Sequence, residues 1–175
     1  MTDISFQLMP AECLADNLKE LSKILIDTVA DGAAISFLHP VTAKQAQTFW
    51  QQDVFPEVVA NRRALLAAFR GQTLLGTVQL ITAMPPNQPH RAEIAKMMVH
   101  PSARRQGIGR NMLLAALDHA RALGKTNVTL DTRTGDVSQS LYAAVGFQVA
   151  GVIPDFALDP GGQTLHPTTY MFKRL

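Results

Sequence analysis

Residues 91 to 110 read Arg-Ala-Glu-Ile-Ala-Lys-Met-Met-Val-His-Pro-Ser-Ala-Arg-Arg-Gln-Gly-Ile-Gly-Arg. Ala92 to Val99 reads as a strand, and Pro101 stops it. Arg104, Arg105, Gln106, Gly107, Ile108, Gly109 and Arg110 make a short loop rich in arginine and glycine. A helix follows, with Ile108, Met112, Ala115, Ala116 and Leu123 on one face at spacings of three and four. Gly124 stands where a C′ glycine belongs. A strand feeding a glycine loop that opens a helix is an anion site. The first helical N–H groups have no internal partner, and the helix dipole adds about half a positive charge there. The arginines add full charges, so this loop is expected to hold a phosphate or pyrophosphate.

Two familiar phosphate motifs do not fit. A dinucleotide fingerprint needs a third glycine where Met112 stands. Gly124-Lys125-Thr126 has the ending of a P-loop, but His119 occupies the place of its first glycine and a helix precedes it.

Working outward, 175 residues with 47% hydrophobic content predict a single domain over residues 1–175 with a full-sized core. No apolar run reaches the ~18 residues of a membrane-spanning helix. The start, Met-Thr-Asp-Ile-Ser-Phe-Gln, has neither the basic nor the apolar region of a signal peptide. Cys13 is the one cysteine, so no intramolecular disulfide forms. These features predict a cytoplasmic protein. Cys13 itself reads as a packing residue. A net charge of +2, with the arginines gathered in one loop, predicts no nucleic-acid partner.

Ile4 to Leu8 alternates as a strand does, and residues 11–30 read as a helix with Leu14, Leu18, Leu21 and Leu25 on one face. Ile35 to Leu38 reads as a short extended piece. Residues 42–61 are helical in pattern, with Thr42 as N-cap and Pro56 interrupting. Leu65–Phe69 and Thr73–Ile81 flank Gly71-Gln72 as a hairpin. After the loop helix come a strand at Val128–Asp131, a helix from Val137 to Val145, and strands at Gln148–Val152 and Thr168–Phe172. The order predicts an α/β fold built on a mixed sheet with helices on its faces.

Arg104, Gly107 and Gly109 match the pattern Arg/Gln-x-x-Gly-x-Gly/Ala, which resembles the coenzyme A pyrophosphate loop of the GNAT superfamily of acyl-CoA-dependent N-acyltransferases. The element order is also similar to the GNAT fold, a mostly antiparallel mixed sheet splayed at the cofactor site. The resemblance implies acetyl-CoA as cosubstrate, held by the Arg104–Arg110 loop and by backbone groups of Met97, Met98 and Val99. It also implies a homodimer as a partner state. Leu141-Tyr142 to Gly146-Phe147 resembles the Leu-Tyr-x-x-x-Gly-Phe segment of the superfamily, whose tyrosine lies near the coenzyme A sulfur. Gly135 stands where many members carry a cofactor-contacting asparagine.

Acyl transfer to an amine needs a base for the amine, a donor for the oxyanion and a proton for the thiolate. Glu93 and Asp131, on the two strands that flank the splay, are the candidate bases, and Tyr142 is the candidate acid. Arg91-Ala92-Glu93, Lys96-x-Met98-Val99-x-Pro101-Ser102-Ala103-Arg104, Leu130-Asp131-Thr132 and Leu165-His166-Pro167-Thr168 resemble the tabtoxin-resistance acetyltransferase group. That resemblance implies a small, amino-acid-like amine as acceptor, a role in toxin resistance, and Glu93, Asp131 and Tyr142 as catalytic or substrate-contacting groups. It leaves open a protein or peptide N-acetyltransferase, and a non-catalytic acyl-CoA sensor. His90, His100 and His119 lack ligand spacing and no Cys/His cluster exists, so no metal is expected. The absence of a Gly-x-Ser-x-Gly elbow argues against a Ser-His-Asp hydrolase.

Overall fold

The computed structural model describes residues 3–175; the reading of Met1 and Thr2 lies outside them. Seven strands form one sheet: β1 (Ile4–Leu8), β2 (Arg63–Arg70), β3 (Thr73–Ile81), β4 (Arg91–Val99), β5 (Asn127–Arg133), β6 (Gln148–Leu158) and β7 (Leu165–Arg174). Their order is β1-β2-β3-β4-β5-β7-β6, and only β4 and β5 run parallel. The helices are α1 (Leu18–Ala30), α2 (Ala43–Thr48), α3 (Phe55–Val59), α4 (Ile108–Ala122) and α5 (Val137–Ala144). No helix among the described residues is long and apolar enough to cross a membrane.

Strand alternation sends side chains to two separate cores. On one face, Leu66, Val78, Leu80, Ile94, Val128 and Leu130 pack against Ile108, Met112, Leu113 and Leu117 of α4. On the other, Leu65, Ala67, Leu74 and Met98 meet Leu21 and Leu25 of α1 and the fully buried Trp50. The α4 stripe is wider than the spacing reading gave, because Leu113, Leu117 and Ala120 also face inward. Leu123, assigned to that face, is 48% exposed; it is the C-cap, where the helix turns out into solvent before Gly124.

Several boundaries differ from the sequence reading. The first helix begins at Leu18, not residue 11; Ala11–Cys13 forms a single 3-10 turn, and the Asn17 side chain donates to the Cys13 carbonyl at 2.8 Å. Met9 and Leu14, on either side of that turn, are buried in the α1-side core. Ile35–Leu38 is not extended but an irregular loop, with Ser36 at φ 71°. β6 runs on to Leu158 and β7 begins at Leu165, so both outlast their expected limits. Pro154 is tolerated within β6 because it lies on an edge strand at an irregularity between Ile153 and Ala157, where no ladder N–H is required.

The Thr42 cap is present as a full capping box: Thr42 Oγ1 accepts from the Gln45 N–H at 3.2 Å and the Thr42 N–H donates to Gln45 Oε1 at 2.9 Å. Pro56 does not end the helical run, which continues unbroken through residues 43–59. A π-helical turn over Phe49–Val54 precedes it, and Pro56 falls in the first turn of α3, where its missing N–H costs nothing.

Candidate active site

The parallel ladder between β4 and β5 lasts only from Arg91↔Asn127 to Glu93↔Thr129. Beyond it β5 pairs with β7 on its other side through Arg133, and β4 stays on β3 through Val99. The two strands therefore diverge, and the edge of β4 from Ile94 onward is left without a strand partner toward β5. Within this edge the register against β3 shifts between Gln79↔Ala95 and Thr77↔Met98, so β4 carries one extra residue. Lys96 takes it up at φ 48°. A bulge of this kind bends the strand and leaves a backbone group unpaired. Gly76 makes room for the bent end: a Cβ there would sit 2.7 Å from the Met98 carbonyl oxygen.

At the foot of the same edge, the Arg104–Arg110 loop turns into α4. Arg105 and Gly107 are both left-handed, at φ 62° and 74°. The first turn closes through Asn111 N–H to the Gly107 carbonyl at 3.0 Å, which leaves the preceding helical amides pointing out of the helix end. A Cβ on Gly107 would meet nothing nearer than Asn111 Nδ2 at 3.9 Å, so the space above the loop is open. Gly109 serves packing instead; a Cβ there would press Leu141 of α5 at 3.2 Å. The flanking side chains hold the loop in place. Arg104 pairs with Asp31 at the end of α1, and Arg70 donates to Gln106. His100 Nε2 meets Asp27 at 2.9 Å while its Nδ1 lies 2.7 Å from Ser102 Oγ. The hydrogen bond from Lys23, aided by that from His100 and by both positive charges, holds the Asp27 carboxyl below its ordinary range against the opposing effect of burial. Ile108 is buried in the core and offers the loop only its backbone; Arg105 and Arg110 remain exposed.

A cavity of about 470 Å³ opens at the splay. Ala33–Leu38 walls one side, and the ends of β6 and β7 wall another. Asp131, Tyr142 and Lys96 all line it. Asp131 stands on β5 and accepts from Thr168 Oγ1 at 3.0 Å. Tyr142 is 6% exposed, its ring edge-on to Phe147 with centroids 5.9 Å apart. Its hydroxyl makes no hydrogen bond within the protein among the described residues, and the residue lines the cavity. Burial, reinforced by the negative charges of Asp131 and Asp136, pushes the Tyr142 phenol well above its ordinary value. It therefore stays protonated at neutral pH.

Glu93 lies elsewhere. It sits where the strands are still paired, its carboxylate 3.2 Å from Arg91 Nη1, and it is not part of the cavity wall. Arg91 in turn donates to Thr129 Oγ1 at 2.7 Å, which ties this group across the ladder. Met97 and Val99 are half-buried along the open edge, and Met98 is buried on the α1 side. The site also contains groups that residue patterns did not single out: the Ala33–Leu38 loop, Phe156, and Arg133, which donates to His166 Nε2 at 2.8 Å. Among the described residues no cluster of His, Cys, Asp and Glu is placed to hold a metal ion.

Residues 27–147 match the model of the Acetyltransferase (GNAT) family. The chain belongs to this family. Relatives agree. The chain is 28% identical over 108 residues to the N-acetyltransferase YvbK of Bacillus subtilis, covering 61% of this chain and 66% of YvbK. It is 33% identical over 115 residues to the N-alpha-acetyltransferase RimI of Mycobacterium tuberculosis, covering 62% of this chain and 70% of RimI. The matches thus span about two thirds of the length of these relatives. The fold is also that of a phosphinothricin acetyltransferase from Sinorhizobium meliloti solved with acetyl-CoA, at TM-score 0.78 and 19% identity over 100% of this chain and 89% of that one. The GNAT splay, bulge and glycine loop are thus the frame in which the cavity residues sit.

Proposed function

We propose that this GNAT protein transfers the acetyl group of acetyl-CoA to the primary amine of a small, amino-acid-like molecule, by direct attack in a ternary complex. The observation that carries this reading is the meeting of Asp131 and the protonated Tyr142 on one cavity at the mouth of the splay. Acetyl-CoA supplies the activated thioester. The amides and arginines of the Arg104–Arg110 loop fit its pyrophosphate, and the open edge of β4 at Met97, Met98 and Val99 fits its amide-bearing arm. Asp131 takes the proton of the incoming ammonium. A backbone N–H of the bulged stretch of β4 meets the oxyanion. Tyr142 gives its proton to the departing thiolate. The cavity volume lies in the range of small-molecule sites. A tabtoxin-type β-lactam falls within this acceptor class, and detoxification is the corresponding role. Val149, Val152, Ile153 and Phe156, exposed along the edge strand β6, support the homodimer that the family resemblance implies.

Thiol release from acetyl-CoA against a panel of amino acids, β-lactam toxins, peptides and amines tests this directly. Turnover on a small amine is expected. Turnover on peptides alone would make it a protein acetyltransferase, as the likeness to RimI suggests, and acetyl-CoA binding without any turnover would make it a sensor.

Gly107→Val tests the loop. A β-branched residue is strained at φ 74°, and its methyls would project into the open space above the amides. Acetyl-CoA affinity is expected to fall about 100-fold, roughly 2.7 kcal/mol, by calorimetry. Thermal stability should fall by about 1–3 kcal/mol from the left-handed backbone strain alone, so affinity is compared at a temperature where both proteins are folded. Unchanged affinity would place the pyrophosphate elsewhere.

A further inference from the structure

Lys96 and Arg133 are cations on the two diverging strands, and both line the cavity. The described residues contain six ion pairs, and neither residue takes part in any of them. Lys96 Nζ donates to a neutral oxygen, Ser36 Oγ, at 2.7 Å. Arg133 donates to a neutral nitrogen, His166 Nε2, at 2.8 Å. A guanidinium only donates, so the imidazole accepts at Nε2 and keeps its proton on Nδ1. Each cation is thus held in place by a neutral partner that cancels none of its charge.

Taking a charge out of water without a counter-ion is costly, and chains retain such groups where a ligand supplies the opposite charge. Burial accordingly pulls the half-buried Lys96 ammonium below its ordinary range, with Asp131 acting in the other direction. The Lys96 backbone, left-handed at the bulge, aims this side chain into the cavity instead of along the strand. Asp131 and Arg133 alternate onto the same face of β5, about 6.6 Å apart along the strand. One cavity therefore offers an anion for an ammonium and two cations that take part in no ion pair among the described residues.

We infer that Lys96 and Arg133 form a carboxylate subsite, so that the preferred acceptor is an amino acid whose carboxylate is held between them while its amine meets Asp131. This rests on the small-amine reading above and adds to it which part of the acceptor is recognised and by which residues. His166 orients Arg133, and Ser36 ties the Ala33–Leu38 wall to Lys96.

The test uses matched acceptors that differ only in the carboxylate: leucine against leucinamide and isopentylamine, lysine against 1,5-diaminopentane, a β-lactam amino acid against its amide. The wild-type protein is expected to favour the acid in its preferred pair by tenfold or more in kcat/KM. Lys96→Met and Arg133→Gln should each raise KM for that acid about tenfold, change KM for its carboxylate-free partner less than about twofold, and leave acetyl-CoA affinity alone. Lys96→Arg, which keeps the charge, should restore part of the loss. Equal preference for acid and amide in the wild type would overturn the inference while leaving the small-amine reading intact. So would a loss in the variants that is the same for both partners. Acetyl-CoA binding without turnover on any pair would overturn the small-amine reading and the subsite with it.

Discussion

Tyr142→Phe is expected to lower kcat by about 100- to 1,000-fold, the range that a positioned general acid contributes. The dissociation constant for acetyl-CoA should stay within about twofold of wild type. The substitution removes a hydroxyl that bonds to nothing in the protein and keeps the ring that packs on Phe147 at 5.9 Å, so the fold has no reason to change. The pH dependence follows from the direction of the shift. A phenol pushed above its ordinary 10.0 by burial and by Asp131 and Asp136 holds its proton throughout the neutral and mildly alkaline range. The wild-type pH–rate profile should therefore show no falling limb from Tyr142 below pH ~10. A kcat within threefold of wild type for Tyr142→Phe would remove the hydroxyl from the chemistry. Parallel losses of turnover, cofactor affinity and stability would make it a packing group.

The second large effect separates the two carboxylates. Asp131→Asn is expected to cut kcat/KM by at least about 100-fold, and Glu93→Gln by less than about fivefold. Asp131 faces the cavity and spends one oxygen on Thr168 at 3.0 Å, which leaves lone pairs for an incoming ammonium. Thr168 also lies 3.0 Å from the Thr132 carbonyl, so its single proton is shared between the two acceptors and does not saturate Asp131. Glu93 is engaged by Arg91 and sits behind the point where the strands part. A larger loss from Glu93→Gln than from Asp131→Asn would reverse the assignment and route the proton to Glu93 through water.

What the sequence disclosed of this site follows from range. The loop from Arg104 to Arg110 was legible because its glycines, its charges and the helix it opens are contiguous. So was Tyr142, seated in a compact helix-to-glycine segment. On the acceptor side Asp131 was legible as a candidate base, but the group around it was not. Ser36, Lys96, Arg133 and His166 come from four separate segments, and no spacing links them before the sheet brings them together. Lys96 sits in a strand-like run, and its left-handed backbone is imposed by the register against β3, which no local propensity encodes. Ile35–Leu38 has the apolar content of a strand, yet Ile35 and Phe37 pack toward the α1-side core and the stretch forms a cavity wall. Glu93 and Asp131 could not be ranked from periodicity, because both lie on the same sheet face and only the point of divergence separates them.

The most direct measurement is a calorimetric titration of the protein with acetyl-CoA beside one with S-acetylpantetheine, which keeps the thioester and arm but lacks the pyrophosphate. One site with micromolar affinity for acetyl-CoA, and affinity at least about 100-fold weaker for the truncated thioester, is the expected result. Equal affinity for the two would deny the Arg104–Arg110 loop its phosphate, and no binding of acetyl-CoA would contradict the account at its root.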